Sequence, residues 1–147
     1  MSKARQVLMI LSVIGSIVIN LLGGWDTQLQ TMIILMALDV ITGTLIAMFW
    51  NKSPNSTRGA YDTQIAFKGG MKKLVVFVAI AFAVLVDKLF VYAIGADDYV
   101  RTSVILYYSG VEGASLVENL GIMGIPLPSV IINAFETLQD RGRNGDV

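Results

Sequence analysis

Apolar residues in this chain come in long runs, and the charges gather between them. Four runs approach the roughly 20 apolar residues that a helix needs to cross a bilayer: about Val7 to Leu22, Leu29 to Trp50, Leu74 to Ile94 and Val100 to Ile125. The first is short. The second holds one charge, Asp39, and the third holds Asp87 and Lys88 near its end. The fourth is apolar but carries Glu112, Glu118 and Asn119. Between the second and third runs, NKSPNSTRGAYD (Asn51 to Asp62) is punctuated by Ser-Pro, Asn-Ser and Arg-Gly, as turns are. TQIAFKGGMKK (Thr63 to Lys73) is semi-apolar and basic, which suits a segment lying at the headgroup surface before the third helix. After Pro128, apolar Ile131, Ala134, Phe135 and Leu138 recur at i, i+3, i+4 and i+7, with Asn133, Glu136 and Gln139 elsewhere, the pattern of a short amphipathic helix. RGRNGDV is a polar end.

This pattern predicts an all-α membrane protein, a single integral-membrane domain over residues 1–147. It has about four transmembrane helices (7–22, 29–50, 74–94 and 100–125) and a tail, 126–147, with a short cytoplasmic amphipathic helix. The basic start MSKAR resembles that of a secretory signal. LLGGWD, however, offers no small-x-small cleavage site, and further membrane runs follow directly, so the first helix is expected to be retained.

Composition narrows the chemistry. The chain is 54% hydrophobic and 15% charged, whereas a soluble domain is nearer about a quarter charged. Eleven basic and eleven acidic residues balance, so the basic excess of a nucleic-acid binder is missing. The absence of Cys excludes disulfides, thiolate metal sites and Cys nucleophiles. The absence of His removes the usual metal ligand, general base and near-neutral proton switch. No enzyme, cofactor or metal site is expected.

Basic residues set the expected orientation. With four spans, Lys3, Arg5, Lys52, Arg58, Lys68, Lys72, Lys73, Arg141 and Arg143 all fall on one side, nine of the eleven. The other side receives Asp26, Asp97 and Asp98, with Lys88 and Arg101 near it. Both termini are therefore expected in the cytoplasm.

The acids in the apolar runs are costly. A charge at a helix centre costs about 2.5–3.5 kcal/mol, and each Leu or Ile returns only about 0.5. The fourth run thus inserts poorly alone; it needs partners, protonation or water on one face. At about 100° per residue, Glu112, Ser115 and Asn119 share a face, with Tyr108 a turn before and Glu118 at its edge. Gly110, Gly113, Gly121 and Gly124 fall roughly opposite, where close helix packing is expected. Asp39, Gly43 and Ala47 form a similar line, as do Ala79, Ala83 and Asp87. Intramembrane acids face a bundle interior or a water-filled cavity. For Asp87 the reading is internal pairing, with Lys88 or Arg101 as partner. For Asp39, Glu112 and Glu118 structural pairing and a functional role both stay open, since no base lies nearby in sequence.

Three motifs add to this. LDVITG (Leu38 to Gly43), FKGGMKK (Phe67 to Lys73) and E-x-x-S-L-x-E-N-L followed by G-x-P-x-P (Glu112 to Pro128) occur in this order. Together, over about positions 30 to 130, they resemble the phage-lysis and toxin-secretion holin family of small bacterial membrane proteins. Val40 stands where the family often has Tyr, and Val111-Glu112 where it has Asn-Glu; Glu118-Asn119 matches.

The resemblance implies a homo-oligomer, surrounded by lipid in the cytoplasmic membrane of the bacterial host, that opens a timed lesion. The lesion passes an endolysin or toxin to the wall as cargo, without stable binding, and causes lysis; an antiholin is a further partner. The pore and oligomerisation candidates are Asp39, Gly43, Asp87, Glu112, Ser115, Glu118, Asn119, Gly121 and Gly124. Glu118 is expected to make the fourth helix conditionally soluble in lipid, and GIPLP to end that helix. Two rivals remain: a proton- or ion-coupled channel or transporter subunit with Asp39 and Glu118 as relay carboxylates, and an antiholin that regulates a separate pore. An intramembrane aspartyl hydrolase is disfavoured, because the chain has no Gly-x-Gly-Asp.

Overall fold

A computed structural model describes residues 2–52, 61–95 and 99–145. Asp97, Asp98, Arg58 and most of the turn-rich loop lie outside the described residues. The described chain is all-α: α1 (Lys3–Leu21), α2 (Thr27–Leu45), a π-helical turn continuing it (Ile46–Trp50), α3 (Thr63–Ile94), α4 (Tyr99–Ile122) and α5 (Ser129–Asn144).

Local chemistry sets the helix ends. Side chains of Ser2, Asp26 and Asp62 accept hydrogen bonds from first-turn N–H groups of α1, α2 and α3, satisfying donors that a helix start leaves orphaned. Gly23, at φ +82°, closes α1: its N–H reaches Asn20 O and that of Gly24 reaches Ile19 O. The same paired bonds close α4 at Gly124, φ +85°, from Gly124 N to Gly121 O and from Ile125 N to Leu120 O. This left-handed glycine cap corrects the expectation that the prolines end the fourth helix; it stops before Pro126 is reached.

A second correction concerns Thr63 to Lys73. The segment does not form a separate surface element but the first turns of α3, which runs unbroken for 32 residues. Asp62 caps it, it contains no proline, and Gly69 and Gly70 weaken a helix without breaking it.

The core lies between α2, α3 and α4. Leu29, Met32 and Met36 of α2 pack with Val76 and Ile80 of α3 and Ile105 of α4. Helical spacing carries each stripe into polar residues at both ends: Asp26 and Asp39 on α2, Lys73 and Asp87 on α3, Arg101 and Glu112 on α4. Asp26 meets Arg101, while Asp39 meets Asn119, so α2 and α4 run parallel. Lys73 meets Glu112 and Asp87 meets the start of α4, so α3 runs antiparallel to both.

Among the described residues, three helices are long and apolar enough to cross a membrane: Lys3–Leu21, Thr27–Trp50 and Thr63–Ala93. α4, of 24 residues, has the length, about 36 Å, but with Glu112, Glu118 and Asn119 inside it, it is not apolar enough to join these three. Outward residues of α3, such as Val78, Phe82 and Leu89, are 66–70% exposed, as suits a surface bathed in lipid. α1 buries none of its residues.

The tail differs from expectation. α5 folds back antiparallel along α4. A Cβ at Gly113 would strike Phe135, one at Gly110 would strike Gln139, and one at Gly145 would strike the Tyr99 hydroxyl. Gly110 and Gly113 are thus the groove that receives α5. Arg141 and Arg143 are carried back toward the Tyr99 end of α4, away from the end where the basic-residue count places them. Gly142 is the tightest approach, because an added Cβ would meet backbone atoms of Ser103 and Tyr107. Backbone cannot rotate aside as Phe135 can. Gly142→Ala is expected to part α5 from α4 at about 1–3 kcal/mol, seen as faster protease cleavage within α5 of detergent-solubilised protein. Unchanged cleavage would show that the docking of α5 does not depend on this contact.

Candidate functional site

Two buried polar layers bracket the apolar core, Arg101 and Glu112 lying about 16 Å apart along α4. In the first layer, Asp87 of α3 is only 2% exposed. Its carboxylate accepts the N–H groups of Val100 (2.8 Å) and Arg101 (2.7 Å). An acid from a neighbouring helix thereby caps the positive end of α4. The Arg101 guanidinium spreads over the α1–α2 connection: Nε donates to Leu22 O (2.6 Å), one terminal nitrogen to Asp26 Oδ2 (2.5 Å) and the other to Gly24 O (3.4 Å). The expected side-chain pairing of Asp87 with Lys88 or Arg101 is replaced by backbone capping; Lys88 is exposed.

Burial alone would raise the pKa of Asp26. The hydrogen bond from Arg101 outweighs it, together with the Leu29 N–H, the Arg101 charge and the Gln28 N–H, so the carboxyl is held below its usual range. A folded pKa below the unfolded one stabilises at pH above the unfolded value and is lost as pH falls through the folded one. Stability should therefore show no Asp26-dependent change between about pH 5 and 8 and a loss below about pH 4. Thermal unfolding in detergent across that range, with Asp26→Asn as reference, checks this.

The second layer lies toward the other end of α4. Lys73 Nζ donates to Asp39 Oδ2 (3.1 Å) and to Glu112 Oε2. Asn119 Nδ2 donates to Asp39 Oδ1 (3.0 Å) and to Thr42 Oγ1 (3.0 Å). Both Asp39 oxygens are thus engaged, one base stands between two acids, and α2, α3 and α4 are tied at one level. Among the described residues no buried side-chain nitrogen or oxygen lacks a partner. The layer holds charge inside an apolar bundle; it displays no nucleophile beside a base.

Of the candidate residues, Asp39, Glu112 and Asn119 meet in this layer. Gly43 lies beside it, a Cβ there reaching Asn119 Nδ2 at 3.7 Å. Asp87 belongs to the first layer. Ser115 is half-buried and Glu118 is exposed, outside both layers. Nothing lies within 4 Å of a Cβ added at Gly121 or Gly124. Sequence reasoning missed Lys73 as the partner of Asp39 and Glu112, 34 and 39 residues away. The available signal was its spacing on α3: Lys73, Val76, Ile80, Val84 and Asp87 share one face.

A family model described as the bacteriophage holin family matches residues 16–140, which include every residue of both layers. The chain is 27% identical over 128 residues to an uncharacterised protein of Clostridium perfringens, covering 87% of each. It is 27% identical over 117 residues to the uncharacterised protein YqxH of Bacillus subtilis, covering 80% of this chain and 75% of that one. It is 25% identical over 111 residues to a probable holin of Bacillus phage phi105, covering 76% and 73%. No solved structure matches.

Proposed function

The chain belongs to the bacteriophage holin family, and we propose that it is itself a holin, a non-enzymatic protein that oligomerises in the bacterial cytoplasmic membrane and opens a timed lesion. The lesion releases an endolysin or toxin to the wall. The match over residues 16–140 carries this reading. The geometry supports it in one respect. α4 has too many charges to enter lipid alone, and the Asp39–Lys73–Glu112–Asn119 layer covers its acid and amide with partners from α2 and α3. It then serves as the fourth span.

Lys3, Arg5, Lys68, Lys72 and Lys73 mark the cytoplasmic end of the bundle, and the Asp26–Arg101 layer marks the outer end. A cytoplasmic C-terminus requires α5 to leave α4.

Expression of the chain alone, with a dye that reads membrane potential, tests the function. A holin collapses the potential abruptly and, with a muralytic enzyme in the cytoplasm, lyses the culture. An ion-coupled channel subunit gives steady conductance without enzyme release. An antiholin gives neither and delays lysis by a separate pore.

Glu118 acts between copies in this reading, because it lies outside both layers. Glu118→Gln should accumulate in the membrane as the parent does and shift the lysis time. Parental timing at equal protein level would remove Glu118 from assembly.

A further inference from the structure

Beyond the apolar first turn of α5, where Val130, Ile131 and Ile132 are exposed, two exposed faces of the bundle differ in kind. On α3, outward Val78, Phe82, Leu85 and Leu89 form an apolar face. On α5, outward Asn133, Glu136, Thr137, Asp140 and Arg143 form a polar one at i, i+3, i+4, i+7 and i+10, with Arg143 paired to Asp140 at 2.7 Å. The two faces lie at the same depth. Phe135 sits by Gly113, Gln139 by Gly110 and Gly142 by Ser103 and Tyr107. This stretch of α4 lies beside α2 and α3, between the Arg101–Asp26 and Lys73–Glu112 contacts. Any membrane that surrounds α2 and α3 therefore surrounds α5 as well. Charged side chains at such depth face protein or water, not lipid.

We propose that α5 is the lumen-lining helix of the assembled protein: docked in the glycine groove of α4, it turns its Glu136–Asp140 face to water enclosed by several copies of the chain, while α1 and α3 face lipid. This rests on the holin reading for its oligomer. Beyond that oligomer it requires the segregation of the two faces and the depth of α5. The inward face, Phe135, Gln139 and Gly142, supplies the docking, and the glycines of α4 let the two backbones approach closely enough for α5 to stay within the bundle's outline.

The chain has no cysteine, so single substitutions report one position each. Glu136→Cys, Asp140→Cys, Gln139→Cys and Val78→Cys variants of the full chain are reconstituted in phosphatidylethanolamine–phosphatidylglycerol vesicles. They are then treated with a charged, membrane-impermeant methanethiosulfonate. Cysteine at 136 and 140 should react about tenfold or more faster than at 139 or 78, because a thiol shielded from water ionises poorly. Gln139→Cys reacting as fast as Glu136→Cys would mean that α5 hangs free in water and would overturn the proposal. Glu136→Cys as slow as Val78→Cys would overturn it too. The holin reading is judged separately, by depolarisation on induction of the cysteine-free parent. Its failure beside the alternating pattern would leave a water-facing α5 in a protein of another function.

Discussion

Lys73→Met is expected to cause the largest loss of folded protein of any single substitution in the second layer. Methionine keeps most of the length and apolar volume of the lysine stem, so packing changes little. The charge change is severe: Asp39 and Glu112 are left facing each other with no base between them, inside a bundle of low polarity. Breaking a buried ion pair by removing one partner costs about 3–5 kcal/mol. The Lys73 side chain retains 19% exposure, which places the expected cost toward the lower end. Even that is a large share of the 5–15 kcal/mol or so that holds a domain folded. Glu112→Gln should be mild by comparison, because Lys73 and Asp39 then remain as a balanced pair. The triple variant Lys73→Met, Asp39→Asn, Glu112→Gln should recover much of the loss, since neutral amides can bond to one another and to Asn119. The measurements are the amount of chain in the membrane fraction and the thermal midpoint in detergent. A Lys73→Met protein that accumulates and melts like the parent would show that the layer contributes nothing to stability.

What was legible in the sequence follows from the range of each interaction. Helices announce themselves within a few turns, through apolar runs and helical periodicity, so all five were expected as helices, although α1 begins at Lys3 and α2 at Thr27, ahead of the apolar runs that pointed to them. Asp39, Asp87, Glu112 and Asn119 were legible as polar residues in apolar runs, because the cost of such a residue is local. Their partners were not. Lys73 reads locally as a surface base in KGGMKK, and only the antiparallel approach of α3 to α2 and α4 brings it between two acids. Arg101 likewise reads as a span-end charge, and its grip on Leu22 and Asp26 depends on a connection more than 70 residues earlier. The glycines misled differently. Gly110, Gly113, Gly121 and Gly124 look alike on a helical wheel. Yet the first two receive α5, Gly124 ends the helix and Gly121 faces open space, because the wheel does not show where α4 stops or that the chain turns back. Glu118 shows the same limit: it stands one position from Asn119, and 100° of helix rotation separates a residue in the layer from one on the surface.

Arg101→Met should release α1 from the bundle. α1 buries none of its own residues, so its attachment depends on its C-terminal connection. There Arg101 donates to the carbonyls of Leu22, the C-cap of α1, and of Gly24 in the connection beyond it, as well as to Asp26. Lysine carries the same charge but is a point donor without the planar fork. Arg101→Lys should therefore keep the Asp26 pair at best and lose the carbonyl bonds. Gly23→Ala reaches the same defect from the other side, since its Cβ would lie 2.6 Å from Arg101 Nε at a backbone φ of +82°. The readout is amide hydrogen exchange over residues 19 to 26 in detergent, compared with exchange over residues 102 to 112. Each buried acceptor left unsatisfied costs about 1–3 kcal/mol, which corresponds to local opening about ten- to a hundredfold more frequent when one such loss is felt there. In Arg101→Met and Gly23→Ala the connection should exchange faster by that order while the middle of α4 keeps its protection, with Arg101→Lys in between. Parental exchange at 19 to 26 in both variants would mean that α1 is held by something other than this clamp. Equal loss of protection in both regions would mean instead that Arg101 and Asp87 stabilise α4 as a whole, and that the first layer acts on the core more than on the attachment of α1.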